Sequence, residues 1–144
     1  MNGSGYVSFE DRTRRCFALN SSGLAQWHAD RCQTEMGKIV EIVEKNGMGS
    51  QIGVSFKKGQ FALSFPNSVI LKISIPAEGD LKVSAEYLQE PLTAFRTNEG
   101  QPTTCRELGD NVYEELPSMI QDVFELQESA LDSLRANTQA QMEF

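Results

Sequence analysis

Between Ile52 and Leu88 apolar and polar residues alternate in four short runs, and nothing else in the chain restricts its fold as strongly. Ile52, Val54 and Phe56, then Phe61, Leu63 and Phe65, then Val69, Leu71, Ile73 and Ile75, then Leu81, Val83, Ala85 and Tyr87 share one parity. Successive side chains of a strand point to opposite faces, so these residues predict one buried face of an antiparallel meander. Lys57-Lys58-Gly59, Pro66-Asn67 and Pro76-Ala77-Glu78-Gly79-Asp80 supply the turns between runs. Pro91 closes the fourth strand and Leu92 to Phe95 is available as a fifth, giving four to five strands over about 51–95.

Helical spacing flanks the meander on both sides. Ser21 or Ser22 is a good N-cap, and Leu24, Trp27, Cys32, Met36, Ile39, Val40 and Val43 are read as one stripe of an amphipathic helix over about 22–46, stopped by Asn46-Gly47. Thr104-Cys105-Arg106-Glu107 fits a capping box, predicting a long C-terminal helix over about 104–136 with a kink or break near Pro117. Its stripe runs through Leu108, Val112, Leu116, Met119, Val123, Leu126 and Ala130. Residues 1–20 show no strong period and are read as partly extended, with Tyr6 to Phe9 and Cys16 to Leu19 as the extended pieces, and 137–144 as a frayed tail. The expectation is one α+β domain over 1–144, with an antiparallel sheet between two helical regions.

Charge narrows the partners. The formal charge is −7, split as eight Lys/Arg against six Asp/Glu over residues 1–60 and five against fourteen over 61–144. An acidic chain without a basic stripe cannot neutralise phosphates in number, which argues against nucleic acid and against an anionic membrane. Arg12, Arg14 and Arg15 are its one basic knot, beside Glu10 and Asp11, and are read as solvated surface. With no signal-like start and three cysteines in no close pairing, Cys16, Cys32 and Cys105, the chain reads as cytoplasmic with free thiols.

Few residues offer catalytic chemistry. His28 is the single histidine, and with Cys32 four residues on it has metal-ligand spacing, but two ligands do not make a zinc site. No metal and no cofactor are assigned. Cys105 is the sharper thiol, because a position just inside the Thr104 cap would feel the positive end of a helix, which lowers thiol pKa. Gly47-Met48-Gly49-Ser50 runs from helix into strand, the reverse of a phosphate loop.

The solvent side of the meander is the more informative surface. Ser55, Ala62, Ser64, Ile70, Ser74, Ser84 and Leu88 fall there with Gly53, Lys72, Lys82 and Glu86. Small side chains leave the backbone approachable, so this face suits a second sheet, a helix or an extended peptide, with Ile70 and Leu88 as apolar anchors. Cover by another segment of the same chain is the competing reading. The strands in Gly53 to Phe65, Val69 to Ile75 and Leu81 to Leu88, preceded by a helix, resemble the front half of the small acidic type III secretion chaperones. That resemblance implies a dimeric, non-enzymatic protein that holds a secretion substrate in extended form. It spans less than half of the chain, carries no signature motif, and departs downstream, where that family has a dimer helix and further strands before its final helix. The resulting expectation is a non-catalytic, homodimeric interaction or adaptor module that binds a polypeptide through the sheet face or the acidic C-terminal helix. The alternative is a small-molecule binder or enzyme whose apolar pocket between sheet and helices is lined by Trp27, Tyr87 and Phe95.

Overall fold

The computed structural model describes residues 7–109 and 112–135. They form an α+β structure of four helices, α1 Phe9–Asn20, α2 Gln26–Lys45, α3 Val112–Glu125 and α4 Glu128–Leu134, around antiparallel strands β1 Gly53–Lys57, β2 Gln60–Ser64, β3 Val69–Ser74, β4 Lys82–Tyr87, β5 Glu90–Pro91, β6 Phe95–Arg96, β7 Pro102–Thr103 and β8 Cys105–Glu107. The main sheet runs β1-β2-β3-β4, and the outer edge of β4 is shared by β5 and β8, while β6 and β7 pair separately.

The alternation sets the register. Phe56 stands opposite Phe61, Leu63 opposite Leu71, and Ile73 opposite Val83, so large apolar residues meet across neighbouring strands on one face. Every inward position of the pattern is buried except Val54 on the edge strand, which is half-buried. Lys58 at φ 52° and Gly59 at φ 79° make the two-residue turn between β1 and β2. At the next turn, the Asn67 amide donates to the carbonyls of Val123 (2.8 Å) and Leu126 (3.3 Å), tying the β2–β3 hairpin to the open end of α3.

Residues Phe9–Asn20 are helical, which corrects the extended reading of that segment. Ser8 caps the helix by accepting from the Asp11 N–H at 3.1 Å, and Glu10 and Asp11 occupy the first turn, where the dipole favours acids. Phe9, Thr13, Cys16 and Phe17 follow helical spacing, but Thr and Cys are weak hydrophobic markers, so the stripe did not stand out. Arg12 docks the helix by donating to the carbonyls of Val7 (3.2 Å), Ile52 (2.7 Å) and Gly49 (2.5 Å). Gly49 is required there, since a Cβ would lie 2.9 Å from that of Phe9. Tyr6, the start of the other expected extended piece, lies outside the described residues, as does the 137–144 tail.

Helix α2 begins at Gln26, later than expected, because Ser21 serves as the C-cap of α1. Cys32, Met36, Ile39, Val40 and Val43 are its buried stripe, and one core cluster joins them to the inner sheet face and to Val112, Leu116, Ile120 and Val123 of α3. Tyr113 of α3 donates to Glu35 of α2, and the Lys38 ammonium lies 4.7 Å from the Tyr113 ring centroid.

The C-terminal helical region is present, with two boundaries displaced. Thr104-Cys105-Arg106-Glu107 does not open a helix: Cys105–Glu107 pairs with Ser84, Val83 and Lys82 as β8, and the Leu108 N–H donates to Leu81 O. An unfilled edge on β4 gives this stretch three ladder positions, which outweigh a local capping pattern. Pro117 lies inside α3, and the helical interruption falls instead at Leu126-Gln127, where Asn67 takes the last carbonyls.

Candidate functional site

The register assigns the outer face of the sheet row by row. Gly53, Ser64, Ile70, Glu86 and Pro91 make the first row from β1 to β5. Ser55, Ala62, Lys72, Ser84 and Cys105 make the second, and Lys57, Gln60, Ser74, Lys82 and Glu107 the third, both from β1 to β8. Residues directly opposite on neighbouring strands project to the same side. Two ion pairs agree with that assignment: Lys72 to Glu86 at 2.7 Å, and Lys82 to Glu107 at 3.6 Å.

Among the described residues no position of these rows is buried. Ser55, Ser64 and Ser74 are exposed, while Ala62, Ile70 and Ser84 are half-buried. The six face candidates therefore come together on one surface three residues deep and five strands wide. Leu88 stands apart. It is 56% exposed and sits with Gln89 in the turn between β4 and β5, at φ 53° and 67° respectively, so it projects from the rim. Left-handed backbone at two consecutive residues that carry side chains is strained, and such turns ordinarily use Asn and Gly.

Compared with family models, curated proteins and solved structures, the chain matches none. The site therefore has to be read from its own geometry.

Cys105 also lies on the outer face, exposed, in the strand that borders β4. This overturns its placement at a helix N-terminus, and the argument for an activated thiol goes with it. Cys16 is half-buried and Cys32 buried, and loss of solvent pushes both pKa values up, only partly offset by backbone hydrogen bonds at Cys16 and by the Arg31 charge at Cys32. A raised pKa opposes thiolate chemistry. His28 is committed to the scaffold: its Nε2 lies 2.8 Å from the Ile75 carbonyl, which can only accept, so Nε2 donates. Arg31 continues the same clamp, donating to Pro76 O at 2.8 Å and Gly79 O at 2.6 Å, and the two side chains hold the β3–β4 loop. Of the expected basic knot, Arg12 is spent on backbone carbonyls and Arg14 pairs with Glu10 and Asp11.

The expected pocket residues are dispersed. Tyr87 is buried in the core, and Trp27 is 57% exposed on the first turn of α2. At roughly 100° per residue, Trp27 points nearly opposite to the Cys32–Met36–Val43 stripe, so its exposure follows from the helix period itself. Phe95 lines a cleft of about 350 Å³ with Met119, Val123, Leu126 and Leu134. A larger cleft of about 580 Å³, which the sequence reading missed, lies between α1 and α2, with Phe17, Ala18, Met36, Gly37 and Val40 among its walls. Its signal was in the sequence only once α1 is taken as a helix. A Cβ added at Gly37 would meet nothing within 4 Å, so the cleft leaves room for a side chain there.

Proposed function

We propose that this chain is a non-catalytic protein–protein interaction module that binds a polypeptide, its own second copy included, through the outer face of the sheet. The observation that carries this reading is the face itself: fifteen positions in three rows, mostly small or internally ion-paired, with none buried by the described residues. An ordinary solvated sheet face carries long or β-branched side chains, whereas this one lets another backbone approach closely. The acidic helix is the weaker surface, because Leu116, Ile120 and Val123 of α3 are already absorbed by the core. The raised thiol pKa values of Cys16 and Cys32 and the backbone bond of His28 favour a structural role for these three residues.

A photo-crosslinking residue at Ser74 tests the reading in cell extract, against the same residue at Lys45 at the far end of α2. Polypeptide adducts at Ser74 that disappear when Ser64→Arg and Ser84→Arg are combined, with circular dichroism unchanged, are the expected result. Adducts that survive the double substitution, or none at all, overturn the reading. The cleft between α1 and α2 favours a second reading, a small apolar ligand, and its size is within the range of ligand sites. A thermal-shift screen in which binding is lost in Gly37→Leu checks it.

A further inference from the structure

We propose that the occupant of the outer face is a second copy of this chain, packed face to face about a two-fold axis running along β3, so that Lys57 of each copy meets Glu107 of the other. The inference rests on the reading of this face as a binding surface and adds the partner and the register.

Two observations lead to it. The first is where the charge is not. A chain of net charge −7 repels its own copies, and the contact that costs least is one from which the acidic excess is missing. The outer rows hold Lys57, Lys72 and Lys82 against Glu86 and Glu107, a balance of +1. Much of the acid lies on α3 and α4, among them Glu114, Glu115, Asp122, Glu125, Glu128 and Asp132, away from this face.

The second is the order of charges in the third row. Lys57 on β1 and Glu107 on β8 each stand two strands from β3. Lys82 is paired with Glu107 and Lys72 with Glu86, whereas Lys57 has no ion-pair partner among the described residues. A two-fold axis along β3 exchanges the two ends of each row and places Lys57 over Glu107 of the second copy, twice per dimer. The same operation sets Ile70 against itself, Ala62 against Ser84, and Ser55 against Cys105, and it brings the two long polar side chains of Gln60 and Lys82 together at the third row. Lys72 also meets its own symmetry mate, and its bond to Glu86 in the same protomer neutralises that approach. A two-fold axis across the strands instead opposes Lys57 with Gly53 and Ile70 with Ser74, which leaves the unpaired lysine unpaired and the apolar anchor on a hydroxyl. Facing charges of this kind fix register more than they add affinity, and the small side chains supply the close packing.

Sedimentation velocity on the full chain tests the inference with Lys57→Glu, Glu107→Lys and the double exchange. The wild type is expected to dimerise with concentration, each single reversal to weaken the dimer about tenfold or more, and the double exchange to recover most of that loss. Circular dichroism of Glu107→Lys, which also loses Lys82, separates a register effect from misfolding, and Lys57→Glu carries the test alone if that variant does not fold. A wild type that stays monomeric at high micromolar concentration overturns the inference, and so does a dimer indifferent to the single reversals or not rescued by the double exchange. The binding face itself falls if crosslinking at Ser74 captures no polypeptide, or if the Ser64→Arg, Ser84→Arg combination leaves that crosslinking intact.

Discussion

The two faces of one sheet share backbone, register and twist, yet they use opposite side chains. Inward stand Phe56, Phe61, Leu63, Leu71, Ile73 and Val83, each at most 2% exposed. Outward stand Ser55, Ala62, Ser64, Ser74 and Ser84, none of them buried. The inner face derives its stability from apolar area removed from water, which is intrinsic to the folded chain. The outer face contributes little of that kind, and its smoothness acquires energetic meaning only when something else is pressed against it. Burial specifies the fold, and its absence on the reverse side is what the proposed interaction rests on.

The contrast is sharp within β2, between buried Phe61 and exposed Ser64. Phe61→Ala should destabilise by about 3–5 kcal/mol in urea unfolding, the range for truncating a fully buried aromatic, while Ser64→Arg on the other face should stay within about 0.5 kcal/mol. Equal losses at the two sites would break the distinction. Arg12→Ala comes next, because three backbone carbonyls lose a charged donor and α1 loses its anchor to the start of β1. A cost of about 2–3 kcal/mol is expected, with hydrogen exchange rising first in α1. Replacing Leu88-Gln89 by Asn-Gly should raise stability by about 1–2 kcal/mol, since both residues hold positive φ. A loss of partner capture in that variant would move the proposed binding surface from the face to its rim.

The smallest expected effect is on the thiols. Burial raises the Cys32 pKa above the ordinary thiol value of 9.0, so the unfolded chain gives up that proton at lower pH than the folded one. The stabilising contribution is therefore complete below pH 9 and fades as pH climbs through the folded-state pKa, and Cys32→Ala should flatten that part of the alkaline stability profile. Alkylation at pH 8 should follow the same order of exposure: Cys105 first, then half-buried Cys16, and Cys32 only on unfolding. Fast labelling of Cys32 would mean that α2 opens locally.

Much of this was legible in the residues, for reasons that can be named. A period of two is a strong signal when both sides of the alternation are consistent, as they are from Ile52 to Tyr87, and it located the strands, their turns and the outer face. Signals carried by one or two residues fared worse. Thr13 and Cys16 hid the stripe of α1, and Trp27 was grouped with a stripe that the helical period places on the other side.

The sequence by itself determined which side chains leave water and which remain beside it, because alternation is a property of neighbouring residues and needs no distant partner. Tertiary structure alone decided what competes for an unfilled backbone. The capping pattern at Thr104 is locally sound, but β4 offered Cys105–Glu107 a ladder that no inspection of those four residues could anticipate. In the same way Arg12, His28 and Asn67 read as ordinary polar residues until the fold brings a carbonyl within reach of each, and a carbonyl removed from water has to find a donor somewhere.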